Sequence, residues 1–338
     1  MTAGSLTAYV PRLVQEWVAE SPADRWREVT GSLLLVDVSG FTRLSERLAR
    51  KGRIGAEEVY DAMGSTFAAF LDVARETGGD LVKFGGDALL LLYTGAGHAD
   101  RACRAAVRMR RTLRQGDRLE TSSGPVRLRM SGGVHSGTIH FCLVGDSHRE
   151  LIVTGPGASE TVRMEAAAAP GETLVSQATA ALLTGHVVGS LKGPGRRLRT
   201  DPPIEPVAPA DDWLPGEDTL LSCIPAAVRA RFGPGLPEPE HRRVTVAFIR
   251  FGDVDERLAT VGVERVAEQL HDLVCAAQRI AERQGIAFLA TDVDQDGGKI
   301  ILTAGAPETT GNDEERMLLA LRELVDSEPP LPVQVGVS

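Results

Sequence analysis

A short apolar stretch that ends in an acid, LLLVDVSGFT at residues 33–42, most constrains how this chain can fold. Its apolar run predicts a buried strand that ends near Asp37, and the Ser-Gly pair that follows predicts a tight turn. A second acid, Asp87, comes fifty residues later in LVKFGGDALLLLY, where a Gly-Gly pair between two apolar runs is typical of a β-hairpin. We therefore expect two carboxylates on adjacent strand ends, an arrangement that can hold one or two Mg²⁺ ions against a nucleotide triphosphate.

Composition narrows the class of protein. The 338 residues suffice for two domains with full cores, and the formal net charge of −9 argues against nucleic-acid binding as the main function. No apolar run in the sequence approaches the length of a membrane span. The four cysteines are scattered without a CxxC pair, which is typical of reduced cysteines. We expect a cytoplasmic protein that binds neither nucleic acid nor membranes.

Hydrophobic periodicity predicts the first two segments of the chain. An amphipathic helix is expected within residues 1–29. Residues 30–192 alternate between strand and helix patterns in the order β-α-α-β-β-α-β-β-α, which predicts an α+β fold with an antiparallel-rich sheet and helices on one face. Within this segment, residues 126–135 and 138–144 are predicted to pair as a hairpin.

A proline-rich segment and a weaker repeat of the first pattern complete the chain. Residues 193–242 lose regular periodicity, which predicts an extended linker. Residues 243–338 then repeat the first pattern, with Arg250 and Lys299 aligned to the two acids. Because basic side chains cannot hold a metal ion in that way, we expect a second, degenerate domain of the same type, truncated at the end of the chain.

Four motifs carry a resemblance to a known family. VDVSGFT, KFGGD, GVHSG and VTGPGASETVRM follow one another in an order and spacing that resemble the class III nucleotidyl cyclases, the adenylate and guanylate cyclase catalytic domains. The tandem arrangement resembles the bicarbonate-responsive soluble adenylyl cyclases. The resemblance implies ferredoxin-like, palm-type domains that pair within the chain or in a homodimer. It also implies conversion of ATP into cyclic AMP and pyrophosphate with two metal ions, Mg²⁺ or Mn²⁺, at the domain interface, and bicarbonate as a candidate activator.

The same resemblance assigns roles to individual residues. Asp37 and Asp87 match the two metal-binding aspartates of the family. Lys83 matches the position that recognises the purine base, and that contacts the activating anion in the bicarbonate-responsive branch. Arg163 matches the arginine that stabilises the transition state, or the other anion contact. Ser159 stands where the family has a catalytic asparagine, one helical turn before the arginine, so the chain departs from the family there.

The turn after the first acid belongs to the expected nucleotide site. Gly40, Phe41 and Thr42 follow Asp37 in the VDVSGFT motif, where free backbone N–H groups suit a polyphosphate. The second base-recognising position of the family falls near Ile152, which has no polar side chain. The motifs fit both ATP and GTP.

Other interpretations remain open at this point. The basic residues of the repeat, together with Ser159, also fit a catalytically silent pair of domains that binds nucleotide or bicarbonate and regulates downstream domains. The KFGGD hairpin is similar to the GGD-type hairpin of diguanylate cyclases, but Ala88-Leu89 follow it instead of the Glu-Phe of that family. Asp37 and Asp87, as strand-end acids, could also simply cap a following helix.

Overall fold

The chain forms two compact units. The computed structural model describes residues 6–40, 53–115, 124–183, 186–205, 215–229, 242–309 and 311–338, together with a few single positions between these ranges. The first unit comprises Thr30–Thr138 and Glu160–Asp211, and the second comprises Met1–Val29, Ile139–Ser159 and Asp212–Ser338. None of the helices in the described ranges is both long and apolar enough to cross a membrane.

Strands and helices alternate along most of the chain. The strands are β1 (Trp26–Ser39), β2 (Asp80–Gly85), β3 (Ala88–Thr94), β4 (Arg129–Val144), β5 (Glu150–Thr154), β6 (Thr173–Val175), β7 (Val188–Lys192), β8 (Gly195–Leu198), β9 (Thr245–Phe251), β10 (Ala287–Asp294), β11 (Gly297–Ala304) and β12 (Val333–Val337). The helices are α1 (Arg12–Glu20), α2 (Arg53–Glu76), α3 (His98–Gln115), α4 (Pro156–Ala167), α5 (Gln177–Leu182), α6 (Glu217–Leu221), α7 (Ala226–Arg229), α8 (Val254–Gln284) and α9 (Asp313–Asp326).

The sheet of the first unit has the strand order β2-β3-β1-β4-β6-β8-β7. Strand β3 pairs antiparallel with both β1 and β2, and β8 pairs antiparallel with β6 and β7, whereas β4 and β6 run parallel. The mixed but antiparallel-rich sheet confirms the predicted α+β class. The pairing of β1 with β3 matters for the site, because Asp37 lies near the end of β1 and Asp87 lies in the turn just before β3.

Helices α2 and α3 supply the core of the first unit. Phe70 of α2 is fully buried in the same apolar cluster as Leu34 of β1 and Leu91 of β3. The inner face of α3 is made of small residues, including the fully buried Ala102 and Ala106, which let that helix lie close to its neighbours. Burial of this apolar surface is the main stabilising contribution, at about 25 cal/mol per Å².

The second unit has its own sheet and core. Strands β10-β11-β9-β12 are neighbours in that order, and every pair runs antiparallel. Residues of α8 and α9, among them the fully buried Leu270 and Met317, form one apolar cluster with Ile249 and Ile300 of the sheet. The end of β4 pairs antiparallel with β5, and both contribute to this cluster.

The predicted hairpin between residues 126–135 and 138–144 is wrong. The structure has one continuous strand, β4, through this region. The sequence Ser136-Gly137-Thr138 suggests a turn, but Gly137 lies in extended backbone within the strand. Residues 132–134 pair with β6 and residues 140–144 pair with β5, so neighbouring strands satisfy the backbone hydrogen bonds of both ends.

Part of the predicted linker is also regular structure. Strand β8 lies inside residues 193–242, between β6 and the edge strand β7, and pairs with both. Residues 139–159, which the sequence places in the first domain, belong to the compact unit that also contains residues 212–338.

Candidate metal and nucleotide site

Strand pairing brings the two predicted metal acids together. Asp37 lies near the end of β1 and is paired across the strands with Ala88, the first residue of β3. The backbone N–H of Val38 donates to the carbonyl oxygen of Asp87 at 3.0 Å. Gly86 precedes Asp87 in the hairpin turn with a φ of +66°, a conformation that side chains disfavour. The pairing of β1 with β3 therefore brings both acids to one end of the same strand pair, as predicted.

The charge of Asp37 is destabilised by its surroundings. Burial, then the carboxylates of Asp87 and Glu165, raise the pKa of Asp37 from its ordinary value of 3.8 to about 6. Burial also raises the pKa of Glu165, the hydrogen bond from Ser131 opposes this, and Asp87 adds to the rise. The charges of Asp37 in β1, Asp87 in the hairpin turn and Glu165 in α4 repel one another, and we call these three residues the acidic cluster. Such a cluster is suited to a cation.

Glu165 is the site residue that the sequence reasoning missed. It lies in α4, and its carboxylate accepts a hydrogen bond of 2.7 Å from the hydroxyl of Ser131 in β4. The Ser131 hydroxyl also lies 3.4 Å from that of Ser39, two residues after Asp37. The sequence contained one signal for Glu165. It lies two residues after the predicted site residue Arg163 on the same helix, with the fully buried Met164 between them.

The backbone of α4 approaches β4 closely at Gly133. A Cβ atom placed on Gly133 would lie 2.3 Å from the backbone nitrogen of Glu165 and 2.5 Å from the carbonyl oxygen of Thr161. Both obstructing atoms belong to helix backbone and cannot rotate away. The missing side chain at Gly133 therefore fixes the distance between α4 and the sheet, and with it the place of Glu165.

Replacing Gly133 by Ala is expected to lower the free energy of unfolding by about 2–3 kcal/mol, since α4 must shift to admit the methyl group. Gly64, a helical glycine of α2 where an added Cβ atom would have no neighbour within 4 Å, is the matched control. There the same change should stabilise by up to about 1 kcal/mol, because alanine favours a helix. Urea unfolding of both variants measures this, and equal effects would contradict the close packing of α4.

Lys83 and Arg163 lie on different elements of the first unit. Lys83 is half-buried in β2, opposite Leu90 of β3. Arg163 is half-exposed on α4 and forms an ion pair with Glu160, one turn earlier. The charge of Arg163 also lowers the pKa of His135, after the larger effect of burial. Both residues remain predicted site residues, and the guanidinium of Arg163 is held by a neighbouring carboxylate.

Ser159 is engaged in a structural contact. Its side chain is buried, with 8% of the residue exposed, and its hydroxyl accepts a hydrogen bond of 2.8 Å from the backbone N–H of Asp296. Asp296 lies in the turn between β10 and β11, so Ser159 satisfies a backbone group of the second unit. This contact gives the serine a role in packing at the position where the resemblance implies a catalytic asparagine.

The turn after β1 is described only in part. Gly40 has a φ of +96°, which favours glycine, and its carbonyl oxygen accepts from the N–H of Leu44. Phe41 and Thr42 lie outside the described residues. Ile152 is 2% exposed in the core of the second unit, as expected for a side chain without a polar group.

Strand register corrects the predicted alignment of the repeat. In the first hairpin Gly85 pairs with Ala88, and in the second Asp294 pairs with Gly297, so the residue at the position of Asp87 is Asp296 and not Lys299. The sequence alignment followed the Gly-Gly pair, which in the second hairpin comes after the turn instead of before it. The carboxylate of Asp296 accepts from backbone N–H groups at the start of α8, those of Asp253 and Asp255, at 3.2 and 2.9 Å.

The other position of the repeat lacks an acid. Arg250 pairs with Lys299 across the strands, and both contact the carboxylate of Asp294, at 3.1 and 3.6 Å. Continuing the same register places Gly252 at the position of Asp37. The described part of this hairpin therefore has a counterpart of Asp87, in Asp296, but none of Asp37.

Comparison with known proteins adds independent findings. A family model described as the adenylate and guanylate cyclase catalytic domain matches residues 23–194. Adenylate cyclase 1 of Rhizobium meliloti (strain 1021) is 30% identical over 129 residues, covering 37% of this chain and 18% of that protein. Adenylate cyclase type 10 of Rattus norvegicus is 32% identical over 92 residues, covering 26% of this chain and 6% of that protein. The adenylyl cyclase CyaB from P. aeruginosa has a solved structure with 21% identity and a TM-score of 0.44, covering 53% of this chain and 100% of that one.

The extent of these matches decides what they establish. The aligned segments span less than a fifth of the length of either curated relative. The family model, in contrast, matches half of this chain and spans β1 to β7, with the whole acidic cluster inside it. On that match, the chain belongs to the adenylate and guanylate cyclase catalytic domain family, the class III nucleotidyl cyclases.

Proposed function

We propose that this chain is a nucleotidyl cyclase that converts ATP into cyclic AMP and pyrophosphate, with the acidic cluster as its metal site. The observation that carries the proposal is that Asp37 lies opposite Ala88, the neighbour of Asp87, while the N–H of Val38 donates to the carbonyl oxygen of Asp87. A helix-capping role for these acids explains neither the elevated pKa of Asp37 nor the third acid beside them. The choice of ATP is supported by the curated relatives, which are named adenylate cyclases.

The donor set of the cluster fits Mg²⁺ or Mn²⁺. Carboxylate oxygens are the ligands that these ions prefer, and positive charge would relieve the repulsion that raises the pKa of Asp37. Asp37 and Asp87 would hold the metal, and Glu165 would add negative charge beside them. A bound ion would favour ionisation of the ribose 3′-hydroxyl and balance the charge of the pyrophosphate.

The remaining residues of the chain would position the nucleotide. Lys83, on the strand that leads into the hairpin turn, would donate to the purine base, and the turn at Gly40 would offer backbone N–H groups to the phosphates. Arg163 would leave Glu160 and stabilise charge on the phosphoryl oxygens. Lys83 and Arg163 are also the cations that would contact bicarbonate if that anion activates the enzyme.

A second candidate function is supported by two specific contacts. Ser159 is occupied by the N–H of Asp296, and Arg163 is paired with Glu160. A chain held in this state would bind nucleotide or bicarbonate without turnover and act on a partner as a regulatory, catalytically silent cyclase domain. The two functions share the metal site and differ in whether product forms.

Turnover by the full chain tests the proposal. With Mn²⁺, the purified protein is expected to form cyclic AMP from ATP faster than cyclic GMP from GTP, with one pyrophosphate released per cyclisation; chromatography of both products measures this. Specific activity that rises with protein concentration would identify a homodimer as the active form. Calorimetric binding of the nucleotide with no product from either substrate would overturn the enzymatic function and favour the silent domain.

A further inference from the structure

A second group of metal-ligating side chains lies in the second unit and shares no residue with the acidic cluster. Asp146, His271 and Cys275 each offer one ligand atom, and these atoms all lie within 4.8 Å of one another. His271 and Cys275 are four residues apart on α8, which places them on the same face of the helix. Asp146 belongs to the loop between β4 and β5. Two elements that are distant in sequence therefore supply one group.

Two of the three ligand-to-ligand distances are close to those of a tetrahedral metal site, and the third is below 4.8 Å. The Sγ atom of Cys275 lies 3.5 Å from the Nε2 atom of His271, and that nitrogen lies 3.7 Å from the Oδ1 atom of Asp146. Metal bonds of about 2.3 Å to sulfur and about 2.0–2.1 Å to nitrogen or oxygen, at tetrahedral angles, separate such ligand atoms by about 3.4–3.6 Å. A cation could therefore bind with only small movements of side chains.

The loop that carries Asp146 is fastened to the same helix. Gln278 of α8 is 1% exposed, and its Oε1 atom accepts from the backbone N–H groups of Asp146 and Ser147 at 2.9 and 3.2 Å. Its Nε2 atom donates to the carbonyl oxygen of His148 at 2.8 Å. These hydrogen bonds hold the backbone of the loop against α8, two helical turns after His271. The loop backbone, as well as the Asp146 side chain, therefore sets the position of the carboxylate.

The three residues of the group differ in their exposure to solvent. Cys275 is buried, with 3% of the residue exposed, whereas His271 is half-buried and Asp146 is exposed. A cation would reach the thiol past the carboxylate and the imidazole. Three protein ligands would leave one position for water, and a thiolate among them selects a thiophilic ion such as Zn²⁺ over Mg²⁺ or Ca²⁺.

Binding of a cation would require two protons to move, one on His271 and one on Cys275. The backbone N–H of Gly145 points at the Nδ1 atom of His271 at 3.2 Å, so the ring proton of the free chain lies on Nε2. When Nε2 binds a cation, that proton moves to Nδ1 and the contact with Gly145 is given up, while the thiol proton of Cys275 passes to solvent. The lost contact weakens the site relative to one in which Nδ1–H meets an acceptor.

We propose that Asp146, His271 and Cys275 bind a zinc-class divalent cation that ties the loop between β4 and β5 to α8. The proposal does not rest on the cyclase activity, because it uses different residues and a different class of metal ion. The cation would join two elements that already share the contacts of Gln278, and the fourth coordination position would remain open to water.

Cobalt titration of the full chain tests the proposal directly. After treatment with a chelator, one equivalent of Co²⁺ is expected to produce the near-ultraviolet absorption of a cobalt–thiolate bond, and Zn²⁺ is expected to displace it. Cys275→Ser should remove the absorption, and Asp146→Asn or His271→Ala should weaken the apparent affinity at least tenfold. Cys223→Ser and His186→Ala, at a cysteine and an exposed histidine outside the group, should leave it unchanged.

Two outcomes would overturn the site. One is the absence of the absorption in the unchanged chain at saturating Co²⁺, and the other is its persistence in Cys275→Ser. If circular dichroism shows that Cys275→Ser does not fold, Asp146→Asn decides the question, because that side chain is exposed and its loss should not disturb the core. Unchanged Co²⁺ affinity in Asp146→Asn would then exclude the three-ligand site.

Discussion

Replacing Asp37 by Asn is expected to lower the rate of cyclic nucleotide formation by the full chain roughly 100–1,000-fold, the range typical of losing one preorganised electrostatic stabiliser. Asparagine keeps the size of the side chain but removes the charge that would hold a divalent ion. Asp87→Asn should have a similar effect, because both acids belong to the same strand-end pair. Turnover of ATP with Mn²⁺, measured at saturating substrate, gives the rates.

The double variant sharpens this prediction. If Asp37 and Asp87 hold the same ion, Asp37→Asn combined with Asp87→Asn should be hardly slower than either single variant, since removing one ligand already empties the site. Asp61→Asn, at an exposed acid of α2, is the matched control and should keep the full rate. A rate for Asp37→Asn within threefold of the unchanged chain would exclude Asp37 from the metal site.

The same substitution is expected to stabilise the metal-free protein above pH 6. In the folded chain Asp37 keeps its proton up to a pKa of about 6, whereas its ordinary value is 3.8. Between these values the folded state binds more protons than the unfolded state, so the free energy of unfolding falls as the pH rises. Asparagine has no proton to lose. The advantage of Asp37→Asn should therefore grow from pH 4 to pH 6 and be complete above it.

The expected size follows from the pKa difference. For a fully buried acid the shift would correspond to about 3 kcal/mol, but Asp37 is only half-buried, and solvent screening reduces this to about 1–2 kcal/mol. Urea unfolding at pH 4.0 and pH 7.5 in the presence of a chelator measures the difference, with Asp61→Asn as control. Saturating Mn²⁺ should stabilise the unchanged chain and not the variant. Equal free energies of unfolding for the two chains at pH 7.5 without metal would contradict the raised pKa of Asp37.

The proximity of the two aspartates was predictable because each acid follows a clear apolar strand pattern, and two such strands are expected to pair. A strand that ends near Asp37 and a hairpin that turns at Asp87 need only pair for the carboxylates to meet. The turn sets the register of β2 against β3, and the buried apolar pattern of β1 sets the register of β1 against β3. The resemblance to the cyclases then supplied the chemistry. Both steps depend on short motifs that can be recognised in the sequence.

The features that the sequence did not reveal depend on packing between distant segments. Glu165 joins the cluster because α4 lies against β4 at Gly133, a contact that no local pattern encodes. The alignment of Lys299 with Asp87 failed because a Gly-Gly pair can stand before or after a turn, and only strand register tells which. The length of β4 likewise depends on two partner strands, which override the turn-like sequence at Gly137.

The interleaving of the two units along the chain bears on how this protein can be divided for expression. The family match ends at residue 194, which would suggest cutting the gene there. A fragment of that length would carry residues 139–159 without residues 212–338, although Cys142, Val144 and Ile152 are buried among side chains of the latter segment. These apolar side chains would face water and promote aggregation. Activity measurements should therefore begin with all 338 residues. A shorter fragment without activity would not show that the full chain lacks catalysis.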